Sequence, residues 1–297
     1  MPPSCATTPM TNIRKILVPV DFPNPSLPVV RHAAALARQF RSEIVMLHVA
    51  SPQSHAAGVP DGGSELAAWD MTAEIAKYAD RSQDKDFAQE LQRIVIHRVL
   101  ATGDVANAIV YTAQTQKADL IMMPSHGHTF CEYLLGSVAS KVLRDCECPI
   151  WTDTHVRESP FAELAIRHIL CSVEFNQHDR KTLSWAARLA AEFGARLTLA
   201  HVTTGVEFWG PGGGYVNAKW KEALVEDASL RMSRLQQQME IKVEVFIGSG
   251  EPPKVLCRAA SQTKADLLIT GCHPYAGRLR THGYAIVCAV PVPVLSV

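Results

Sequence analysis

The stretch IRKILVPVDF at residues 13–22 returns in the second half of the chain as IRHILCSVEF at residues 166–175. A second pair of segments matches in the same order, KADLI at residues 117–121 and KADLL at residues 264–268. A repeat unit of this length is a whole domain and not a module of a solenoid. We therefore expect two copies of one fold, and each difference between the copies bears on function.

The length of the chain suits two ordinary domains. Its 297 residues exceed the usual size of one domain, and the repeat indicates how they are divided. We expect a first domain over residues 1–155 and a second over residues 160–297, joined by a linker near residues 153–161.

Composition narrows the class of protein. The 29 basic and 29 acidic residues balance, and without a basic tract nucleic acid is not an expected partner. No apolar run approaches the ~20 residues that cross a bilayer, and residues 1–11 lack the pattern of a secretory signal. The eight cysteines fall mostly at unmatched positions, which indicates reduced thiols and not a duplicated disulfide framework. We expect a cytoplasmic protein that contacts neither nucleic acid nor membrane.

Short apolar runs alternate with amphipathic stretches in both copies. The runs are too brief for helices and fit strands buried on both faces. Strands that alternate with helices form parallel βαβ units, so each copy is expected to be α/β, a doubly wound open parallel sheet. The expected strands are 16–20, 43–49, 94–99, 119–123 and 149–152 in the first copy, and 169–173, 196–202, 241–246, 266–270 and 292–297 in the second. The expected helices include 65–81, 105–116, 218–237 and 253–262.

Ligands of such sheets bind beyond the carboxyl ends of the strands, where the strand order reverses. In the first copy Gly127 follows the fourth strand, and Gly136-Ser137 opens a helix after a spacer of eight residues. Gly127 permits a turn close to a ligand, and the unpaired N–H groups of a helix start favour an anion. Ser137 is suited to cap that helix or to donate to a phosphate oxygen. The residues alone leave two interpretations open, a phosphate site or a turn followed by an ordinary capped helix.

Taken together, the landmarks of both copies resemble the universal stress protein family in a tandem two-domain form. In the first copy they are the opening ILVPVDF, the AAALARQF block that leads to His48-Val49, the KADLIMM strand, the SHG turn and the LLGSVASKVL helix. The resemblance implies a Rossmann-like fold of the adenine nucleotide alpha hydrolase type. Members of this family that bind ATP carry Gly-x2-Gly-x9-Gly-Ser/Thr after the fourth strand.

The resemblance implies an adenine nucleotide site in the first copy. Its ligand would be ATP, with AMP or ADP as alternatives, and with or without Mg²⁺. The implied adenine pocket consists of Pro19, Val20, Asp21 and Val49, and the implied phosphate site of Gly127, Gly136, Ser137 and Val138. Met123 is a further residue expected to bind the nucleotide.

Both copies depart from the nucleotide-binding motif, the second much further. In the first, Pro124 replaces the leading glycine and the spacer has eight residues where the motif has nine. In the second, the turn reads Gly271-Cys272-His273-Pro274, three residues are missing from the loop, and Arg280-Thr281 align with Gly136-Ser137. We therefore expect the second domain to keep the fold and to lack the phosphate site.

Other signals do not define a chemical centre. A metal site is not expected, because no regular zinc spacing relates His126, His128, Cys131, Cys146 and Cys148. The glycine-rich run at residues 210–214 lacks a Gly-Lys-Ser/Thr ending, so it is interpreted as a flexible connection or a flap over the second cleft. No serine–histidine–aspartate pattern or carboxylate pair indicates a catalytic residue.

The closing strands at residues 148–152 and 290–295 are expected at one edge of each sheet. A long apolar edge requires a cover. The resemblance implies that the two edges pair within the chain, which would make it a covalent pseudodimer. The alternative is that another chain covers an edge, as in a homodimer or a higher oligomer.

The leading hypothesis is a cytosolic stress-response protein that binds an adenine nucleotide in domain one as a sensor or switch, without dedicated catalysis. The alternative is an interaction or scaffold protein of the same fold without nucleotide, which Pro124 and the short spacer support. A third interpretation is an enzyme that hydrolyses or transfers a nucleotide phosphate, and weak ATP hydrolysis stays open.

Overall fold

The computed structural model describes residues 13–21, 27–50, 91–125, 136–153, 164–203, 218–271 and 281–297. The chain forms two compact units, and the boundary between them lies between Ala165 and Ile166 in the sequence. Within the described residues, no helix combines the length and the apolar character needed to cross a membrane.

The first unit contains a parallel sheet with five described strands. They are β1 (Lys15–Pro19), β2 (Glu43–Ala50), β3 (Ile96–Thr102), β4 (Leu120–Pro124) and β5 (Ile150–Asp153). Their spatial order is β3-β2-β1-β4-β5, and each neighbouring pair is parallel. The described helices are α1 (Leu27–Phe40), α2 (Val105–Thr115) and α3 (Ser137–Asp145). The order reverses between β1 and β4, which places the switch point between these two strands.

The second unit repeats this sheet. Its described strands are β6 (His168–Ser172), β7 (Arg196–Thr203), β8 (Glu244–Ser249), β9 (Leu267–Thr270) and β10 (Val294–Ser296). They lie in the order β10-β9-β6-β7-β8 and are parallel throughout. The described helices are α4 (Asp179–Phe193), α5 (Ala218–Gln238), α6 (Pro252–Thr263) and α7 (Thr281–Ala289).

The predicted α/β class with two tandem parallel sheets is confirmed. Apolar and polar residues do not alternate along the central strands, because these strands are buried on both faces. All five residues of β6 are buried, as are Ile16, Leu17 and Val18 of β1. A parallel strand covered on both faces has no polar side to expose. The helix predicted at residues 65–81 lies outside the described residues.

The third strand of each sheet begins later than predicted. In the first unit the N–H of Ile94 donates to Leu91 across 3.2 Å, and β3 begins at Ile96. In the second unit the N–H of Ile241 donates to the carbonyl of Gln236, and β8 begins at Glu244. In both cases a turn takes up apolar residues that the pattern assigned to the strand.

The Asp of each KAD segment has a structural role. The carboxylate of Asp119 accepts hydrogen bonds from the N–H groups of Arg14 and Lys15, at 2.8 and 3.0 Å. It satisfies two donors where β1 begins and fixes β4 beside β1. Lys117 ends the preceding turn with a φ of 52°, a left-handed conformation that costs an L-residue free energy.

The second unit uses the same arrangement. The carboxylate of Asp266 accepts from the N–H groups of Arg167 and His168, at 2.8 and 3.0 Å. Lys264 has a φ of 53°. The Asp of the KAD segment therefore has the same structural role in both units, where it joins the first and fourth strands of the sheet.

Replacing either Asp by Ala should destabilise the unit that carries it. Each Asp119→Ala or Asp266→Ala variant leaves two main-chain donors unpaired, so we expect the free energy of unfolding to fall by about 1–3 kcal/mol. Urea denaturation measures the change. The control is Asp145→Ala, because Asp145 is exposed and its carboxylate pairs with the side chain of its neighbour Arg144 and not with main-chain donors of a strand. An effect of Asp145→Ala as large as that of the two variants would contradict the proposed role.

Candidate functional site

The switch point of the first unit gathers five of the residues predicted to bind a nucleotide. Pro19 ends β1, and Val20 and Asp21 follow it. Val49 lies near the end of β2 and Met123 near the end of β4. Val20, Val49 and Met123 are 4, 8 and 4% exposed, whereas Asp21 is exposed. The carboxyl ends of three adjacent strands thus present a small apolar floor beside a solvent-facing carboxylate.

His48 holds the segment after β1 in place. The N–H of Val20 donates to the carbonyl of Leu47 at 2.8 Å, and His48 Nδ1 donates to the carbonyl of Val20 at 3.0 Å. A carbonyl only accepts, so this bond assigns the proton to Nδ1. His48 is 1% exposed. Sequence reasoning gave this histidine no role, although its repetition in the HV pair of each copy was the available signal.

The end of β4 is joined to the start of α3. The N–H and the hydroxyl of Ser125 both donate to the carbonyl of Asp153, each at 3.2 Å, and the N–H of Gly136 donates to the carbonyl of Ser125 at 2.9 Å. The carboxylate of Asp153 lies 2.5 Å from His32 Nδ1 on α1. These bonds place the N-terminus of α3 beside the carboxyl ends of β4 and β5. None of Ser125, Asp153 and His32 was predicted from sequence.

Gly136, and not Ser137, is the N-cap residue of α3. Helix α3 begins at Ser137, and Gly136 has φ −59° and ψ 149° with no side-chain cap. Ser137 is exposed. Capping by Ser137, one of the two roles predicted for it, is therefore wrong, because Ser137 is itself the first helical residue and Gly136 takes the N-cap position. The N–H groups of Ser137 and Val138 are in the first turn, where a helix offers them no internal acceptor.

Some of the segments that the sequence predicted to be functional are not among the described residues. Gly127 lies outside them, as do residues 126–135 and the glycine-rich run at 210–214. Helix α7 begins at Thr281, the residue that the repeat aligns with Ser137, so α3 and α7 start at matching positions.

The part of the chain that the structure describes contains no metal cluster, and its most buried thiol is unreactive. No group of three or more His, Cys, Asp and Glu side chains there could hold a metal ion. His126, His128 and Cys131 lie outside that part. None of the five described cysteines forms a disulfide, and burial raises the pKa of the Cys171 thiol far above its usual range. A buried thiol with a raised pKa is unreactive.

The second unit contains a cavity of about 460 Å³. It lies at the carboxyl ends of β6 and β7, where Ser172, Val173, Val202 and Thr203 line it. In the repeat, Val173 and Val202 correspond to Val20 and Val49 of the first unit. The cavity therefore occupies the position in the second sheet that the predicted adenine pocket has in the first.

The segment after β6 is held in the same way as the segment after β1. The N–H of Val173 donates to Ala200 at 2.8 Å, and His201 Nδ1 donates to the carbonyl of Val173 at 2.7 Å. The His48 arrangement thus appears in both units, with the same atoms in the same roles.

Asp179, at the start of α4, fixes the segment that follows Val173. Its carboxylate accepts from the N–H of Glu174 at 3.2 Å and from the N–H of Asn176 at 3.0 Å. Successive N–H groups of this kind form an anion-binding concavity, which the chain fills with its own side chain. Asp179 is only 6% exposed, and this burial raises the pKa of its carboxyl although the N–H donors act to lower it.

Asp179 and Asp104 should give opposite dependences of stability on pH. Asp104, the exposed N-cap of α2, has a pKa lowered first by the N–H of Asn107 and then by Lys141. For Asp179 the raised pKa means that stability is lost as pH rises from about 3.8 through the folded-state pKa. For Asp104 the lowered pKa means that stability is lost as pH falls below about 3.8.

The measurement is the free energy of unfolding of wild type, Asp179→Asn and Asp104→Asn at a series of pH values. The excess stability of wild type over Asp179→Asn should decrease with rising pH, and its excess over Asp104→Asn should increase. Curves of equal sign for the two pairs would contradict the assigned causes.

Comparison with known proteins agrees with this architecture. The model of the universal stress protein family matches residues 12–152 and again residues 165–297. Universal stress protein MJ0531 of Methanocaldococcus jannaschii is 34% identical over 140 residues, covering 46% of this chain and 79% of that protein.

Two solved structures align along nearly the whole chain. A universal stress protein from Archaeoglobus fulgidus has a TM-score of 0.64 at 21% identity and covers 96% of both chains. The protein PA1789 from Pseudomonas aeruginosa, described as functionally unknown, has a TM-score of 0.69 at 16% identity and covers 97% of this chain and 93% of its own. These likenesses support the tandem fold, and the two family matches span both units. The chain belongs to the universal stress protein family, in its tandem two-domain form.

Proposed function

We propose that the first unit binds an adenine nucleotide, ATP, and that the protein acts in a stress response as a non-catalytic nucleotide sensor. The observation that carries the proposal is the position of the α3 N-terminus. It lies beside the end of β4, fixed there through Ser125, with the N–H groups of Ser137 and Val138 in its first turn. The positive end of a helix dipole at a switch point favours a phosphate group.

Gly136 suits close approach of a phosphate for two reasons. Its N–H is already paired with Ser125, so it holds the helix start and leaves the following donors for the ligand. It also has no side chain to occupy the space in front of those donors. In this proposal Gly127 completes the phosphate site, as the family resemblance implies, and the Ser137 hydroxyl adds a donor.

The adenine ring would lie over the ends of β1, β2 and β4. Val20, Val49 and Met123 supply buried apolar surface, and such surfaces with a few placed polar groups are usual for small ligands. Asp21 is exposed at the same edge, where its carboxylate could accept from the adenine amino group. AMP or ADP would fit the same apolar floor, and Mg²⁺ would accompany the phosphates if it binds at all.

We propose binding without dedicated catalysis. Catalysis requires a nucleophile, a base and a third group that orients them within hydrogen-bond reach of one another. Within the described residues of the first unit, Asp21 is the exposed carboxylate at the switch point, and an adenine acceptor explains it without a chemical step. Nucleotide would instead order the loop that leads to Ser137 and so change the surface offered to partners.

The second unit would act as the partner of the first. Its α7 begins at Thr281 after Arg280, so the helix-opening glycine is absent there. We propose that the last strands of the two units pair within the chain, with a homodimer as a further assembly.

Gly136→Trp should weaken ATP binding, because its indole would occupy the space in front of the Ser137 and Val138 N–H groups. We expect wild type to bind one ATP per chain and the variant to bind at least about tenfold more weakly, since main-chain donors to phosphate are charge-assisted. Isothermal titration calorimetry measures both affinity and stoichiometry.

The matched control is Glu251→Trp. Glu251 is the N-cap of α6 in the other unit, has a similar backbone conformation to Gly136, and makes no side-chain cap. Glu251→Trp should bind ATP as wild type does. Equal affinity in wild type and Gly136→Trp would refute the site, and no binding by any of the three proteins would favour the scaffold alternative.

A further inference from the structure

We infer that the cavity of the second unit binds a small aromatic amine, a flat organic molecule that is neutral or carries one positive charge. The volume of about 460 Å³ lies in the range of small-molecule sites. The inference concerns a different unit and a different ligand class from the nucleotide proposed above, and it does not depend on that proposal.

One wall of the cavity is apolar and comes from three helices. Leu224 and Ala228 belong to α5, Leu256 to α6 and Ile286 to α7, and all four line the cavity. Ala228, Leu256 and Ile286 are 3, 1 and 4% exposed. A wall of this kind favours a ring over a hydrated, strongly polar molecule.

A second wall is aromatic and conformationally strained. Phe175 has a φ of 56°, which is rare for a bulky residue. The carboxylate of Asp179 holds the residues on both sides of it. Its ring lies 4.2 Å from the ring of His201, with the Arg231 guanidinium 6.0 Å from its centroid. Asp179 thus fixes the backbone on both sides of a residue whose ring lines the cavity.

The charges that line the cavity favour a cation. Arg231 Nε lies 2.8 Å from Asp227 Oδ2, so these two side chains largely neutralise each other. The carboxylate of Glu174 remains, held by the Asn176 amide at 3.0 Å. Among the Asp, Glu and Arg side chains of the lining the net charge is negative, which disfavours a polyanion such as ATP.

The hydrogen-bonding groups favour a donor on the ligand. His201 Nδ1 donates to the carbonyl of Val173, so Nε2 is an acceptor on a side chain that lines the cavity. Glu174 is also an acceptor when ionised. An amine or ring N–H group of the ligand would donate to either acceptor. The aromatic ring of the ligand would pack between Phe175 and the helices, and a charged amine on the ligand would gain cation–π stabilisation from the Phe175 ring.

Two probes that share a ring and differ in charge test the inference. Tryptamine and indole-3-acetate both carry an indole, and isothermal titration calorimetry of the full chain measures the affinity of each. Tryptamine should bind one site per chain about fivefold or more tightly than indole-3-acetate, the size of one partly exposed charge interaction. Hydrogen exchange should slow in α5 and at the end of β7 when tryptamine is present.

Three variants locate the site. Ala228→Trp fills the cavity and should abolish tryptamine binding, whereas Ala223→Trp, on the exposed face of the same helix, should leave it unchanged. Glu174→Gln alters an exposed side chain without filling the cavity, and it should reduce the preference for tryptamine to within about twofold. It also serves if Ala228→Trp does not fold.

Several outcomes would overturn the inference. They are equal affinities for the two probes, tryptamine binding that survives in a folded Ala228→Trp protein, or a preference unchanged by Glu174→Gln. Protection by ATP in α5 would show that the cavity takes the nucleotide. Gly136→Trp should bind tryptamine as wild type does, so loss of ATP binding by that variant leaves this test independent.

Discussion

The hydrogen bond from the histidine of β2 to the carbonyl that follows β1 is the constraint on which both binding regions depend. It joins His48 to Val20 in one unit and His201 to Val173 in the other, at 3.0 and 2.7 Å. A strand that ends at a sheet edge leaves its next residues free to take many conformations, at a considerable entropic cost to any ligand that must order them. Here a histidine side chain, buried in the first unit and half-buried in the second, fixes them before a ligand arrives.

The two units use this shared frame differently. In the first, the segment after β1 ends on the exposed Asp21, and the start of α3 is bound to the end of β4 through Ser125. In the second, Asp179 occupies the N–H groups of the following segment. A main-chain concavity filled by its own carboxylate is not available to a phosphate. The cavity of the second unit lies beside this segment, and we propose that it takes a different class of ligand.

Sequence alone predicted the fold to within a few residues at most strand ends. The repeat and the alternation of apolar runs with helices are backbone-level signals, and parallel strands buried on both faces make them strong. The predicted starts of β3 and β8 were wrong, because the N–H groups of Ile94 and Ile241 donate to carbonyls of preceding turns. The residue types in these segments do not indicate such turns.

Sequence was less informative about the candidate site. The roles of Ser125, Asp153 and His32 depend on side chains from three separate segments meeting at one sheet edge, which no local pattern encodes. The aromatic contact of Phe175 with His201 is of the same kind. The assignment of nucleotide to the first unit, with Gly127 and Gly136 in its phosphate site, remains a prediction.

We propose that the two units differ in the ligand they accept. Native mass spectrometry of the full chain with ATP and Mg²⁺ tests it most directly, because it counts the nucleotides bound to each molecule. We expect one nucleotide per chain, lost in the Gly136→Trp protein. Two nucleotides per chain, or one that persists in that variant, would contradict it.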